Sequence, residues 1–396
     1  MKINNARLFP RQPHWYSILL GIGLLAAPVL ANSAPVHQPF KLAQASNSLL
    51  SQVQQCIQNE LAQATTPTAN PQDIASRCLF SVVMLNPNGT VRTDAGDRMA
   101  EFLQASGVQM PNPKGRGQAD VPVYLQPDQP IFSVPVAIQG QTFLFALDTG
   151  ASNSILSHPV AQKLGLKGKP VPSQMLRYLV VGQQSGEQQA LIYLLPSLKV
   201  GTAQVKDLAG IGLSTASLPF KTAGVLGLDF LSRFDMVLNP QTRRLQLRTA
   251  SAPVSTGIPL QGNLGVLITP SVAINSKGPY RFLVDTGAAM TVLSTRLAQQ
   301  LALDLKNSTP FNVIGLGGQE QARRIRLTSL AVPTQSVANL DVLVIDSQVL
   351  QTLGVDGVIG QDVLNRFVQH WRFGPSGPLG TPQTGSLELF PIGKAQ

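Results

Sequence analysis

The sequence predicts a mainly β chain of two similar lobes related by a pseudo-twofold, preceded by a small helical region. Three observations predict it. First, Phe145-Ala146-Leu147-Asp148-Thr149-Gly150-Ala151-Ser152 recurs as Phe282-Leu283-Val284-Asp285-Thr286-Gly287-Ala288-Ala289. The match runs on without a gap to Leu166 and Leu303, at a constant offset of 137 residues from Asp148 to Asp285, which argues for an internal duplication. Second, Gly and Pro number 34 and 30 while only 13% of residues are charged, a mixture that suits short strands joined by many turns. Third, apolar residues fall at helical spacing before residue 108 and in short runs after Val121.

The chain begins with a pattern that reads as an export signal over residues 1–31. Lys2, Arg7 and Arg11 precede an apolar stretch from Trp15 to Leu30, and Val29 and Ala31 suit cleavage after Ala31. The alternative is an uncleaved anchor, although the stretch is short for a span and Pro28 interrupts it. Either way the remainder is expected to be exported, to a periplasm or the exterior, with no integral span once the signal is removed. Residues 32–118 read as a leader, a small helical region and a linker. Leu49, Leu50, Val53, Ile57 and Leu61 predict a helix over 47–64. A second helix is expected from near Asp73, and a third over Asp94–Gln104. Asn86-Pro87-Asn88-Gly89 is a turn signal, and Pro111 to Gly117 reads as the linker. The two cysteines, Cys56 and Cys78, suggest one disulfide in an exported chain. Closing that loop would contribute roughly 3 kcal/mol in the chain-entropy picture. A pair of separate buried thiols is the alternative, and no histidine lies near enough to suggest a metal.

Residues 119–250 form the first lobe and 251–396 the second. Ile131–Ile138 and Thr142–Leu147 flank Gln139-Gly140, a hairpin signal. Asp148-Thr149-Gly150 must then turn sharply. Ser157 suits a helix N-cap, and Gly165 the residue just past that helix. Strands are expected at Tyr178–Val181 and Ala190–Leu195. The strand Val225-Leu226-Gly227, a helix near Phe230 and a hairpin from Met236 to Leu247 close the lobe. The second lobe repeats this order, with a longer Gly/Pro-rich loop from Gly374 to Gly385 in its closing hairpin. Asp229 and Asp362 also repeat. They sit near a helix start, where a capping role is the simpler reading.

These elements resemble the aspartic proteases, the pepsin and retropepsin families, from near Pro122 to the C-terminus. Each Asp-Thr-Gly has its downstream partner, Gly224-Val225-Leu226-Gly227 or Gly357-Val358-Ile359-Gly360. The resemblance implies an acid-protease-like β-barrel fold in which that Gly strand passes beside the Asp-Thr-Gly loop. It implies that Asp148 and Asp285 form the catalytic pair, with Thr149, Gly150, Thr286 and Gly287 fixing the loops. Val313 to Gly318, with Gly315, Gly317 and Gly318, resembles a retropepsin flap, and Gly182 lies in the equivalent place of lobe one. An ordinary surface hairpin is the plainer reading of both. Pepsin-type enzymes usually carry Ser or Thr after Asp-Thr-Gly, whereas this chain has Ala151 and Ala288, as retropepsins do.

Two carboxylates held about 3 Å apart cannot both ionise easily, so one keeps a proton and the pair supplies both a base and an acid. That is what peptide hydrolysis by an activated water requires. Competing sites are poor. His14 and His37 precede the lobes, His158 follows a helix start, and His370 sits beside Trp371. There is no Gly-x-Ser-x-Gly elbow. The net charge of +10 is scattered, with no basic run interleaved with aromatics, so a nucleic-acid partner is not expected. The expected partner is a polypeptide substrate, with no cofactor and no metal, in a monomer that is its own pseudo-dimer. Two other readings stay open: a catalytically silent peptide-binding protein of the same fold, and an enzyme active only as a homodimer.

Overall fold

Apolar strands that run straight into each Asp-Thr-Gly set the architecture. In the computed structural model, the residues described are 16–17, 48–63, 71–89, 91–92, 94–105, 112–125, 130–171, 190–213, 218, 222–315, 318–377 and 380–393. In lobe one, Gln141–Leu147 pairs in parallel with Gly224–Leu226, with Leu147 opposite Leu226. Gly224–Leu226 pairs antiparallel with Ile155–Ser157, which in turn lies parallel to Leu208–Leu213. Lobe two repeats each step. Lys277–Val284 lies parallel to Gly357–Ile359, that strand is antiparallel to Val292–Ser294, and Val292–Ser294 is parallel to Gln335–Ile345. Buried Phe145 and Phe282 occupy equivalent places beside Gly224 and Gly357, where an added Cβ would come within 2.4 and 2.5 Å of the rings.

The closing hairpins join the lobes. Phe234–Asn239 of lobe one pairs antiparallel with Phe367–Phe373 of lobe two, with Met236 opposite Trp371. Arg244–Thr249 and Ala119–Pro122 extend this sheet on one side, and Thr384–Pro391 and Ile258–Asn263 extend it on the other. Three strands of lobe one, among the described residues, are therefore continuous with the sheet of lobe two. The lobes also share one apolar core that includes Met236, Leu238, Leu245, Trp371 and Leu387.

Three helices, Leu49–Gln63, Pro71–Leu79 and Ala95–Ala105, make the N-terminal region, with a π-helical turn at Phe80–Met84. Cys56 and Cys78 are joined in a disulfide that ties the first helix to the second. Buried Phe80, Val83, Met84 and Met99 place this region in an apolar cluster with Leu264, Val266 and Ile345 of lobe two. The stretch read as a linker is partly ordered into a strand. Lys114–Arg116 pairs with Ala203–Lys206 because Gly115 can lie directly against the Arg233 stem. Ser157 stands at the N-cap position without a side-chain cap bond, whereas Ser294 accepts from Leu297 N–H. Tyr178, Gly182 and Gly317 lie outside the described residues, as does the stretch read as an export signal apart from Tyr16–Ser17, which pairs with Val313–Ile314. No described helix is long and apolar enough to cross a membrane.

Candidate active site

Each Asp-Thr-Gly leaves its strand at the same point of the sheet. Asp148 N–H donates to Leu226 O at 3.2 Å, and Asp285 N–H donates to Ile359 O at 3.0 Å. The carbonyl before each downstream glycine thus fixes the height of its aspartate. Within each loop, Gly150 N–H donates to Asp148 Oδ1 at 2.7 Å, and Gly287 N–H to Asp285 Oδ1 at 2.6 Å.

Between the two Asp-Thr-Gly loops, among the described residues, four hydrogen bonds pass from one lobe to the other. Thr149 N–H donates to Thr286 Oγ1 at 3.0 Å, and that hydroxyl donates to Leu147 O at 3.1 Å. Reciprocally, Thr286 N–H donates to Thr149 Oγ1 at 3.1 Å, and the Thr149 hydroxyl donates to Val284 O at 2.8 Å. The loops pack so closely that a Cβ on Gly150 would lie 2.5 Å from Asp285 Cγ. One on Gly287 would lie 2.5 Å from Asp148 Cγ. Glycine is required at both positions by contact across the axis, not by backbone conformation.

Asp148 and Asp285 are both wholly buried, and their Oδ2 atoms accept from no protein donor among the described residues. Burial pushes the pKa of both upward. At Asp148 the negative charge of Asp285 adds to the rise. At Asp285 the neighbouring Asp148 carboxyl and the loop N–H groups oppose it. Both shifts favour the protonated form, and the titration belongs to the pair.

A second repeated network supports these loops, and it was only half visible in the sequence. Ser154 Oγ donates to Asp229 Oδ1 at 2.7 Å and accepts from Gly227 N–H at 3.2 Å. In lobe two, Thr291 Oγ1 donates to Asp362 Oδ1 at 2.7 Å and accepts from Gly360 N–H at 3.2 Å. The aspartates also accept a first-turn N–H, from Phe230 or Val363, so they brace a helix start without being its N-cap. The signal for Ser154 and Thr291 was a hydroxyl at the same distance after each aspartate. Burial raises Asp229 and Asp362 to about 6 each.

Gly315 and Gly318 pair at the end of the hairpin formed by Thr309–Gly315 and Gly318–Val332. Val313 of that hairpin lies in one apolar cluster with Ala151, Ala288 and Ala289. Tyr193, in the strand Ala190–Leu195, is a core residue packed on Gly168 and Gly212. His158 begins a helix, and His370 packs at a tilt against Phe390 in the shared sheet. Cys56, Glu60 and Cys78 cluster closely, but the cysteines are spent in the disulfide.

Comparison with known proteins follows this symmetry. Residues 271–363 match the aspartyl protease family model, and residues 134–233 match the gag-polyprotein aspartyl protease model. A curated relative from Sinorhizobium sp, described as an uncharacterized protein in cobV 5'region, is 29% identical over 117 residues. That match covers 30% of this chain and 47% of the relative, so the chain spans about half the relative's length. Among solved structures, a retropepsin-like aspartic protease from Rickettsia conorii is 24% identical. It covers 34% of this chain and 95% of its own, with a TM-score of 0.24. An aspartic proteinase from Irpex lacteus is 14% identical over 69% of this chain and 98% of its own, with a TM-score of 0.39. Each lobe thus matches an aspartyl protease family model across its own Asp-Thr-Gly segment, and these matches support the resemblance of the chain to the aspartic protease superfamily.

Proposed function

We propose that this chain is an exported endopeptidase that works as a monomer, with a water activated between Asp148 and Asp285. The observation that carries the reading is the pair of buried carboxyls brought together by four cross-lobe hydrogen bonds and both pushed toward their protonated forms. The ionised member takes a proton from water as the water attacks the peptide carbonyl carbon. The protonated member gives its proton to the carbonyl oxygen. Collapse of the tetrahedral intermediate breaks the C–N bond, and the proton taken from water passes to the leaving amine. Thr149 and Thr286 hold the two carboxyls at a fixed separation throughout.

The monomer reading rests on the shared sheet, in which Met236 of one lobe pairs with Trp371 of the other inside a single chain. The substrate is a polypeptide and nucleic acid is not a partner. The pattern over residues 1–31 that reads as an export signal supports a periplasmic or extracellular place, with the N-terminus as an anchor if it is not cleaved. Asp148→Asn and Asp285→Asn test the chemistry. Each is expected to abolish nearly all cleavage of a peptide library while the folded state persists, because either change removes the shared proton. Substantial cleavage by either variant refutes the dyad. If the parent chain binds peptides without cleaving them, the silent binding protein is the correct reading.

A further inference from the structure

A cavity of about 570 Å³ lies where the N-terminal helical region meets lobe two, well apart from the dyad itself. Three arginines line it: Arg92 from the helical region, Arg281 from the strand Lys277–Val284, and Arg296 from the helix Thr295–Gln300. Arg92 uses Nε on Asp94 at 2.9 Å, and Arg296 uses Nη2 on Asp356 at 2.6 Å. The Arg281 guanidinium has no ion pair among the described residues, although its backbone N–H donates to Asp356 Oδ2 at 2.9 Å. A guanidinium carries five N–H donors in a planar fork. Most of the donors in this cavity are therefore unspent. The one carboxylate in the lining, Asp346, already accepts from Gln351 Nε2 at 3.2 Å.

A second cavity of about 280 Å³ adjoins the first, sharing Gly262 and Asn263. Asn263 is held rigid by its Nδ2 bond to Leu353 O at 2.8 Å. This second space reaches Gly265, where an added Cβ would lie 2.6 Å from Ser152 Cβ, in the loop that follows Asp148. Asp97 lines it, so its polarity is opposite to that of the arginine cavity.

We propose that the cavity of Arg92, Arg281 and Arg296 binds carboxylate side chains of an acidic polypeptide segment, remote from the bond that is cut. The proposal rests on the reading of the chain as one that engages polypeptides. Planar carboxylates match guanidinium forks in pairs of parallel hydrogen bonds, which a neutral side chain cannot replace. The site also gives the helical region a role, because Arg92 is its contribution to a pocket that lobe two alone would leave open.

The test uses the full chain carrying Asp148→Asn, so that the probe is not consumed. A fluorescein-labelled oligoglutamate peptide is titrated by anisotropy, with an oligolysine peptide of equal length as control. Saturable binding of oligoglutamate and none of oligolysine is expected. Adding Arg281→Gln is expected to weaken oligoglutamate binding roughly tenfold, the usual effect of losing charge-assisted hydrogen bonds. Adding Lys199→Gln instead, an exposed residue on lobe one, is expected to leave the affinity within about twofold. The proposal is overturned if Arg281→Gln leaves the affinity within that same margin. It is equally overturned if Lys199→Gln weakens binding as much, since the attraction then belongs to a diffuse basic surface. Peptide cleavage by the parent chain is measured separately. Its absence alongside arginine-dependent binding would sink the endopeptidase reading and leave this site standing.

Discussion

Replacing Thr286 by Val keeps the shape of the side chain and removes one hydroxyl from the junction of the lobes. That hydroxyl accepts from Thr149 N–H at 3.0 Å and donates to Leu147 O at 3.1 Å. Thr149, Leu147 and Thr286 are at most 1% exposed, so water cannot take its place without opening the loops. The substitution leaves one buried N–H and one buried carbonyl without a partner. Each orphaned group costs about 1–3 kcal/mol, so the expected loss is roughly 2–6 kcal/mol, a large share of a typical domain's stability. Urea unfolding monitored by tryptophan fluorescence reads it as a lower midpoint at unchanged slope. Thr286→Ser keeps the oxygen and is expected to stay within about 1 kcal/mol of the parent. Thr149→Val should resemble Thr286→Val, because the Thr149 hydroxyl makes the mirror-image pair of bonds. Peptide cleavage should fall in both valine variants, as the two carboxyls lose their fixed separation. A Thr286→Val protein destabilised by less than about 0.5 kcal/mol would show that the cross-lobe bonds do not hold the loops together.

Other perturbations probe the same centre. Gly150→Ala would set a methyl 2.5 Å from Asp285 Cγ, so cleavage should be lost while an unfolding transition remains; near-parental cleavage would mean the loops are looser than they stand here. Burial raises both dyad carboxyls, and Ala151 and Ala288 bring no hydroxyl to stabilise the charged form. The bell-shaped kcat/KM profile should therefore centre at roughly pH 4.5–6.5, and an optimum below about 3.5 would refute that reasoning. Asp229 and Asp362 rise from 3.8 to about 6, so the folded state holds more protons than the unfolded one between those values. Stability should accordingly fall as pH rises through that window, by up to roughly 3 kcal/mol per aspartate, and level off above it. Asp229→Asn should flatten the fall seen in urea titrations at successive pH values; an unchanged slope would contradict the assignment.

Much of this architecture was legible because its signals are local. Alternating apolar runs, the Gln139-Gly140 turn and the apolar strand entering each Asp-Thr-Gly depend on neighbours in sequence, and the repeat at one offset doubled the last of these. The resemblance carried by Asp148, Asp285 and the two downstream glycine strands followed from the same local text. Ser157 shows the limit of such reading, since it holds the N-cap place without making the bond that Ser294 makes. Lys114–Arg116 read as a linker because Pro, Gly and Lys are turn formers in isolation, yet contact with Ala203–Lys206 made it a strand.

Tertiary structure alone decided what crosses from one lobe to the other. The threonine exchange, the close approach of Gly150 to Asp285, and the pairing of Met236 with Trp371 join residues more than a hundred positions apart. No local periodicity encodes such pairs; they exist because two twisted sheets must bury their apolar faces and satisfy their buried N–H and carbonyl groups together. The cavity of Arg92, Arg281 and Arg296 arose in the same way, from packing a disulfide-tied helical region against lobe two. The chain text determined where the two Asp-Thr-Gly segments lie, and packing determined that their carboxyls, 137 positions apart, would be buried across one junction.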